Sequence, residues 1–166
     1  MVVVAILKLI TMSIDQITNF FEVLERVKPI DMLIHCGDLE ELDDYISGFV
    51  TCPVEMVRGN CDFCSPLPGE TTICAKNHRI FVTHGHMYGV KMGLQHLADR
   101  AKTLGADIAL YGHTHMPILT EIDGVTILNP GSLSEPRQYG RKPSFAVIEI
   151  DDRGEAHFTI KYLGKD

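Results

Sequence analysis

Four polar motifs in this chain each follow a short apolar run. They are Gly37-Asp38, Gly59-Asn60-Cys61-Asp62, Thr83-His84-Gly85-His86 and Gly112-His113-Thr114-His115. Taken singly, such motifs are more often turns or helix caps. In an α/β sheet, however, the ends of successive strands are where a functional site gathers, so four motifs in order predict one. An aspartate, an asparagine and several histidines in that place favour a metal site.

The candidate metal ligands are oxygen and nitrogen donors, which suit Mn²⁺, Fe or Zn²⁺ better than Ca²⁺. His113 and His115 lie two positions apart on a turn, so they can point at two neighbouring ions while a carboxylate bridges both. Two ions roughly 3.5–4 Å apart can bind a phosphoryl oxygen and activate water as a nucleophile. The candidate ligands are Asp38, Asn60, His84, His113 and His115.

Length and composition indicate one soluble globular domain over residues 1–166. The net charge of −7 disfavours binding to nucleic acid polymers, although bound cations would still let an acidic chain accept a phosphate substrate. Five cysteines are an odd number, which excludes a complete disulfide framework and favours a reducing cytoplasm. Residues 1–12 are too short an apolar run to span a membrane and lack the basic start of a signal peptide.

The apolar pattern predicts alternating strands and helices first and β-hairpins afterwards. A capping box at residues 13–16 indicates a helix that Pro29 closes, and Gly105 is expected to cap a later helix. We predict further helices over 39–49 and 90–104, and strands over 1–9, 32–35, 54–57, 71–75, 79–83, 107–111, 118–122, 125–128, 145–150 and 156–162.

The motifs and their order resemble those of the calcineurin-like metallophosphoesterases, in particular the small single-domain bacterial and archaeal phosphodiesterases. The resemblance covers nearly the whole chain and includes the segment Ile-Leu-Asn-Pro-Gly-Ser at 127–132. It implies an α/β fold, a four-layer α/β/β/α sandwich of two mixed β-sheets with a dinuclear site at one edge. The family order is D-x-H, G-D, G-N-x-[D/E], H and G-H-x-H, of which the last four motifs are present.

By this resemblance, Asp38 would be the bridging carboxylate and His115 would belong to the second metal site. Asn60, His84 and His113 would complete the first site with Asp38, and the resemblance gives Asn60, His84, His86 and His113 catalytic roles.

The first motif of the family is missing, because a placement without gaps puts Ile10 and Met12 where its Asp and His would stand. Isoleucine has no donor, and a thioether is poorly matched to Mn²⁺. Capture of a metal by Asp15 is less favoured than a helix-dipole role. Three explanations stay open: a degenerate one-metal or inactive homologue, a chain start that does not represent the native enzyme, or water that fills the gaps.

Three residues near the motifs have two interpretations each. His86 would orient phosphate or hold the His84 loop. Cys61 stands where many relatives carry a histidine that protonates the leaving group, but a small buried apolar role is favoured. Its spacing from Cys64 also fits zinc or redox chemistry, which is less favoured.

Other polar residues near the motifs have simpler expected roles. His35 is expected to be a packed core residue rather than a ligand, and Asp62 to orient either the Asn60 turn or the second nitrogen of a ligand. Arg58 and Arg137 could neutralise a substrate phosphate, but solvated surface positions are favoured for both.

The function favoured by the sequence is that of a metal-dependent phosphodiesterase acting on small phosphodiesters in the cytoplasm. Mn²⁺ is the first choice of metal, with Fe, Zn, Ni or Mg as alternatives, and the second metal site is expected to be incomplete. Neither a nucleic acid polymer nor a membrane is expected as a partner, and homo-oligomerisation is left open. The alternative is a non-catalytic metal-binding or scaffold protein on the same fold, as in the small subunit of the retromer complex.

Overall fold

Helices and strands alternate in the first half of the chain, and strands dominate the second half. The structure is a computed structural model that describes residues 17–39 and 43–164. The predicted strand 1–9, the capping box 13–16, and Ile10, Met12 and Asp15 lie outside these residues. The described elements are α1 (Ile17–Val27), β1 (Leu33–His35), α2 (Asp43–Phe49), β2 (Val54–Met56), β3 (Glu70–Ala75), β4 (His78–Thr83), a 3₁₀ turn (His86–Tyr88), α3 (Gln95–Thr103), β5 (Ile108–Tyr111), β6 (Ile118–Ile122), β7 (Val125–Asn129), β8 (Ser144–Ile150) and β9 (Ala156–Tyr162).

Five strands form one mixed sheet in the order β3-β4-β5-β7-β6. Its centre is parallel, because β4 pairs with β5 and β5 pairs with β7 in parallel register. Its two edges are the predicted hairpins, β3 with β4 and β6 with β7. Asp123 and Gly124 form the β6–β7 turn with φ values of 52° and 80°, the left-handed backbone that a two-residue hairpin loop requires.

The remaining described strands form two pairs, β1 with β2 in parallel and β8 with β9 antiparallel. The mixed α/β class predicted from the sequence is therefore confirmed. The described strands form three hydrogen-bonded groups, where the resemblance implied two sheets. The first predicted strand lies outside the described residues, so the four-layer arrangement stays a prediction.

Three apolar clusters fill the core, and the strands contribute to them from both faces. Successive residues of a strand point in opposite directions. Accordingly Leu33 packs with α1 whereas Ile34 packs toward the five-stranded sheet. Likewise Phe81 of β4 packs against α3, and its neighbour Ile80 faces the strand pairs. One cluster thus lies between α1 and the strand pairs, the second between the strand pairs and the five-stranded sheet, and the third between that sheet and α3.

The helix predicted over 90–104 is shorter than expected, because α3 begins at Gln95. Gly89 and Gly93 adopt φ values of 60° and 158°, which interrupt helical backbone before that point. The helix ends at Thr103, one residue before the predicted end, and its C-cap is Leu104. Gly105 follows at φ 68° and donates its N–H to the Lys102 carbonyl, which is the helix-ending role expected of this glycine. Among the described residues, no helix combines the length and apolarity needed to cross a membrane.

Candidate metal centre

Parallel strand pairs bring the four sequence motifs to the same ends of their strands. Asp38 follows β1 and Asn60 follows β2, and these two strands are parallel neighbours. His84 follows β4 and His113 follows β5, which are also parallel neighbours. Because parallel strands end side by side, loops distant in sequence meet there.

His84 lies at the centre of the candidate site. Its Nε2 atom is 3.2 Å from Asp38 Oδ2, 3.1 Å from Asn60 Oδ1 and 3.2 Å from His113 Nδ1. Its other ring nitrogen, Nδ1, faces the Cys36 carbonyl oxygen at 2.7 Å, so Nδ1 carries the proton of the neutral ring. Nε2 then presents a lone pair to three further lone-pair atoms. These oxygen and nitrogen lone pairs are donors of the kind that hold a divalent cation, so the types of the residues present fit a metal ion.

The ring of His115 is also oriented by a hydrogen bond from Nδ1 to a backbone carbonyl. Its Nδ1 atom is 3.0 Å from the Glu135 carbonyl oxygen, which fixes the proton on Nδ1 and leaves Nε2 as the lone-pair atom. His115 is only 8% exposed, and the Glu135 carboxylate lies 3.7 Å from its Nδ1 atom. The assignment of His115 to a second, adjoining metal site stays a prediction.

Asp62 holds the first two motifs together. One carboxylate oxygen accepts hydrogen bonds from the N–H groups of Asp38, at 2.8 Å, and Gly59, at 2.7 Å. The other accepts from the N–H of Leu39 at 2.8 Å. The predicted role of Asp62 in orienting the Asn60 turn is confirmed and extends to the Asp38 loop.

Asn129, at the end of β7, fixes the turn that carries His113. Its side-chain amide donates to the Gly112 carbonyl at 2.7 Å and to the Thr114 hydroxyl at 3.1 Å, and its oxygen accepts from the Gly131 N–H at 2.9 Å. Asn129 is fully buried, so these bonds have no competition from solvent. The sequence pointed only to the segment 127–132, without a role for this residue.

The backbone around the candidate ligands is unusual. Asp38, His113 and His115 adopt φ values of 60°, 62° and 56°, a left-handed conformation that residues other than glycine rarely take. Gly59 is required by close approach, because a Cβ there would lie 2.0 Å from Asp38 Oδ1. Strain of this kind is typical of functional sites, where the surrounding structure imposes it.

Burial and local charge favour the metal-binding protonation states. Burial would raise the pKa of Asp38, but the neighbouring His84 side chain and the hydrogen bond donated by the Cys61 N–H hold it well below its ordinary value. Burial lowers the pKa of His113 to about 4, helped by His84 and Lys91. Burial also lowers the pKa of His115. A neutral imidazole and an ionised carboxylate are the forms that bind metal.

Three residues beside the site were considered from the sequence. His86 keeps a buried Nδ1 without a hydrogen-bond partner among the described residues, and burial lowers its pKa. His35 is only 1% exposed, which confirms a packed core position. Cys61 is exposed, so the favoured expectation of a small buried residue is wrong: its N–H donates to Asp38, which keeps it at the rim of the site.

A second group of ligand-type residues lies at the turn between β8 and β9. Asp151, Glu155 and His157 can bring three ligand atoms within 4.8 Å of one another. The Arg153 guanidinium already pairs with Glu155 at 3.0 Å and Asp151 at 3.4 Å. An exposed acidic group balanced in this way needs no metal ion.

Two solved structures illustrate the proteins that share this fold. A protein from Streptococcus pneumoniae TIGR4, described as a predicted phosphoesterase, superposes with a TM-score of 0.78 and 32% identity over 96% of this chain and 90% of that one. Vacuolar protein sorting 29 from Cryptosporidium parvum superposes with a TM-score of 0.75, covering 96% and 99% of the two chains. Its 18% identity shows likeness of fold alone.

A profile of the calcineurin-like phosphoesterase superfamily domain matches residues 12–153. The chain therefore belongs to this superfamily. The probable metallophosphoesterase YsnB of Bacillus subtilis is 37% identical over 123 residues, which span 74% of this chain and 70% of YsnB. Phosphodiesterase YfcE of Escherichia coli is 33% identical over 57% of this chain and 52% of its own length. The family name implies dependence on a divalent metal.

Proposed function

We propose that this protein is a metal-dependent phosphodiesterase that hydrolyses small phosphodiesters in the cytoplasm. The observation that carries the proposal is the approach of three metal-ligating atoms, from Asp38, Asn60 and His113, to within 3.2 Å of His84 Nε2. Membership of the phosphoesterase superfamily and the names of YsnB and YfcE support the reaction class.

Each candidate ligand has a role that follows from its position. Asn60, His84 and His113 would hold one ion with Asp38, whose carboxylate would also reach the second ion beside His115. Bound divalent cations supply Lewis acidity and activate water at neutral pH. Mn²⁺ is the metal we propose first, because the oxygen and nitrogen donors suit it, with Fe, Zn, Ni or Mg as alternatives.

The chain's own residues would also position the phosphate. His86 has an unpartnered Nδ1 atom, which can donate to a phosphoryl oxygen when it carries the proton. The exposed Asn60 amide has N–H donors as well as its oxygen. Three cations lie close enough to lower the pKa values of nearby histidines: Arg58 for His86, Lys91 for His113 and Arg137 for His115. Positive charges therefore surround the site of this acidic chain. Such a local positive field attracts a phosphodiester.

The test combines metal content with turnover. We expect the full chain, loaded with Mn²⁺ and desalted, to retain metal by elemental analysis and to hydrolyse bis-p-nitrophenyl phosphate. His84→Gln should lose most of the bound metal and nearly all turnover, whereas His96→Gln, on the exposed side of α3, should change neither. Retained metal with no turnover across Mn²⁺, Fe²⁺, Zn²⁺, Ni²⁺ and Mg²⁺ would overturn the phosphodiesterase proposal.

A scaffold function is the second candidate, and the observation that favours it is Ile10 and Met12 in place of the family's first Asp and His. The likeness of fold to vacuolar protein sorting 29 is compatible with it. The five retained ligand-type residues count against it, because a pure interaction module has no physical need of them. Absence of both metal and turnover in the experiment above would favour the scaffold.

A further inference from the structure

A polar cavity of about 600 Å³ lies beside His115 and outside the candidate ligand set. Its wall includes Glu135, Arg137 and Arg141. Two hydrogen bonds of 3.0 Å connect this wall to His115. The Glu135 carbonyl accepts one from the His115 ring, and the Arg137 N–H donates the other to the His115 carbonyl. The cavity is therefore fixed relative to the proposed second metal position.

The charge of the cavity is set by two guanidinium groups and one carboxylate. The Glu135 carboxylate is shared between Arg137, at 3.4 Å, and the ring of His115, at 3.7 Å. Among the described residues, no carboxylate forms a salt bridge with Arg141, so within this part of the chain the cavity wall carries one more positive than negative side chain. In a chain of net charge −7, this is a local exception.

The backbone gives Arg141 a defined position. It adopts φ 46° directly after Gly140 at φ 80°, and its N–H donates to the Gln138 carbonyl at 3.0 Å. A left-handed conformation at a residue other than glycine costs about 1 kcal/mol or more, so this turn is imposed by its surroundings. The backbone is thus defined, and the exposed Arg141 side chain brings to the cavity wall a planar guanidinium, a group that can bind a phosphate with two parallel hydrogen bonds.

The surface near Thr114 is different in kind. Thr114, between the two histidines of its motif, lines a groove of about 550 Å³ whose walls include Met92, Met116 and Ile118. Lys91 is its one cation among the described lining residues. An apolar ester substituent suits this groove, whereas an anionic substituent would be better placed in the arginine cavity.

We propose that the cavity of Arg137 and Arg141 binds a second phosphate group of the substrate. The substrate would then be a phosphodiester that also carries a phosphate, such as an oligonucleotide end or a nucleotide derivative with two phosphates. This inference rests on the proposed function, because it places the scissile group at the metal centre.

The test compares two probes that differ by one phosphate. Binding of adenosine 5′-monophosphate and adenosine 3′,5′-bisphosphate to the Mn²⁺-loaded full chain is measured by calorimetry. We expect the bisphosphate to bind at least about tenfold more tightly. Arg141→Ala should remove most of this advantage and leave the affinity for the monophosphate within about twofold, and Arg141→Lys should keep part of it. Arg26→Ala, at an exposed position of α1 outside the cavity lining, is the matched control and should behave as the wild type.

The outcomes separate the two proposals. Metal-dependent binding of both probes with equal affinity, or a bisphosphate advantage that survives Arg141→Ala, would overturn the cavity inference and leave the proposed function intact. Failure of both probes to bind the metal-loaded chain would count against the proposed function and the cavity together. Arg137→Ala offers a second variant, since its structural hydrogen bond comes from the backbone and is kept.

Discussion

The carboxylate of Asp62 accepts a hydrogen bond from the backbone N–H of Asp38 over 2.8 Å, although 24 positions separate the two residues. The same carboxylate binds the N–H groups of Gly59 and Leu39. In Asp62→Asn one oxygen becomes an N–H₂ group, so at least one of these buried N–H groups loses its acceptor. We expect a loss of about 1–3 kcal/mol in the free energy of unfolding and a roughly 10–100-fold loss of Mn²⁺ affinity.

Urea unfolding and Mn²⁺ titration would measure these two effects. Asp152→Asn, an exposed carboxylate in the β8–β9 turn, is the control and should leave both unchanged. An Asp62→Asn protein with wild-type Mn²⁺ affinity would show that the Asp38 loop holds its shape without this carboxylate.

Asn129 should matter for His113 more than for overall folding. Asn129→Ala removes three hydrogen bonds in a fully buried place and frees the turn at Gly112. We expect destabilisation of about 1–3 kcal/mol together with weaker Mn²⁺ binding. Asn77→Ala, on the exposed β3–β4 turn, serves as the control in both assays. If the Asn129 variant unfolds more easily yet binds Mn²⁺ normally, the turn does not depend on this side chain.

His35 should make the metal-free protein sensitive to acid. Burial lowers its pKa from 6.5 to about 3. Between these values the unfolded chain binds a proton that the folded protein does not, so the stability is complete above pH 6.5 and falls as the pH decreases toward 3. One proton corresponds to about 1.4 kcal/mol for each pH unit.

Urea unfolding at several pH values between 7.5 and 4, in chelator, tests this expectation. His113, whose pKa is lowered to about 4, contributes in the same direction. His35→Leu should therefore reduce the pH slope by about one proton without removing it, and His96→Gln should leave it unchanged. Identical slopes for His35→Leu and the wild type would show that His35 is protonated in the folded protein.

Restoring the first family motif gives a direct test of the lost ligands. The double variant Ile10→Asp, Met12→His should raise the metal content toward two ions per chain, because it returns a carboxylate and an imidazole to the second site. Turnover of bis-p-nitrophenyl phosphate should rise by orders of magnitude if the site is degenerate. Unchanged stoichiometry would mean that the gapless placement of the motif is wrong. Each single variant provides the matched comparison.

The strand that each motif follows could be predicted, because each apolar run is directly followed in the sequence by its polar residues. Parallel pairing of β1 with β2 and of β4 with β5 then explains why Asp38 meets Asn60 and His84 meets His113. The meeting of Asp38 with His84 joins two separate sheets, so it depends on how those sheets pack and could not be predicted from strand order alone. The start of α3 could not be predicted in this way, since the apolar pattern continues through 90–94 although Gly93 within it departs from helical backbone.

The cavity beside His115 was missed for a different reason. Glu135 and Arg141 belong to a loop without periodicity, and their relation to His115 depends on backbone carbonyl and N–H groups that carry no sequence signal. The sequence offers Arg137 as a residue that could neutralise a substrate phosphate but favours a solvated surface position, and Arg137 is indeed exposed. The exposure of Cys61 was likewise invisible, because a cysteine beside a turn gives no sign of which way it faces.

The left-handed backbone at Asp38, His113 and His115 lowers the thermal stability of the protein in exchange for the position of the candidate metal ligands. Glycine would occupy each of these positions with less strain, by about 1 kcal/mol per site. Selection of a randomised library for thermal endurance alone should therefore enrich glycine at the three positions and erase the chelating groups. Only a library screened for both thermal stability and metal-dependent activity should return aspartate and histidine. The difference in stability between the two selected sets would then measure the stability that the metal site costs the fold.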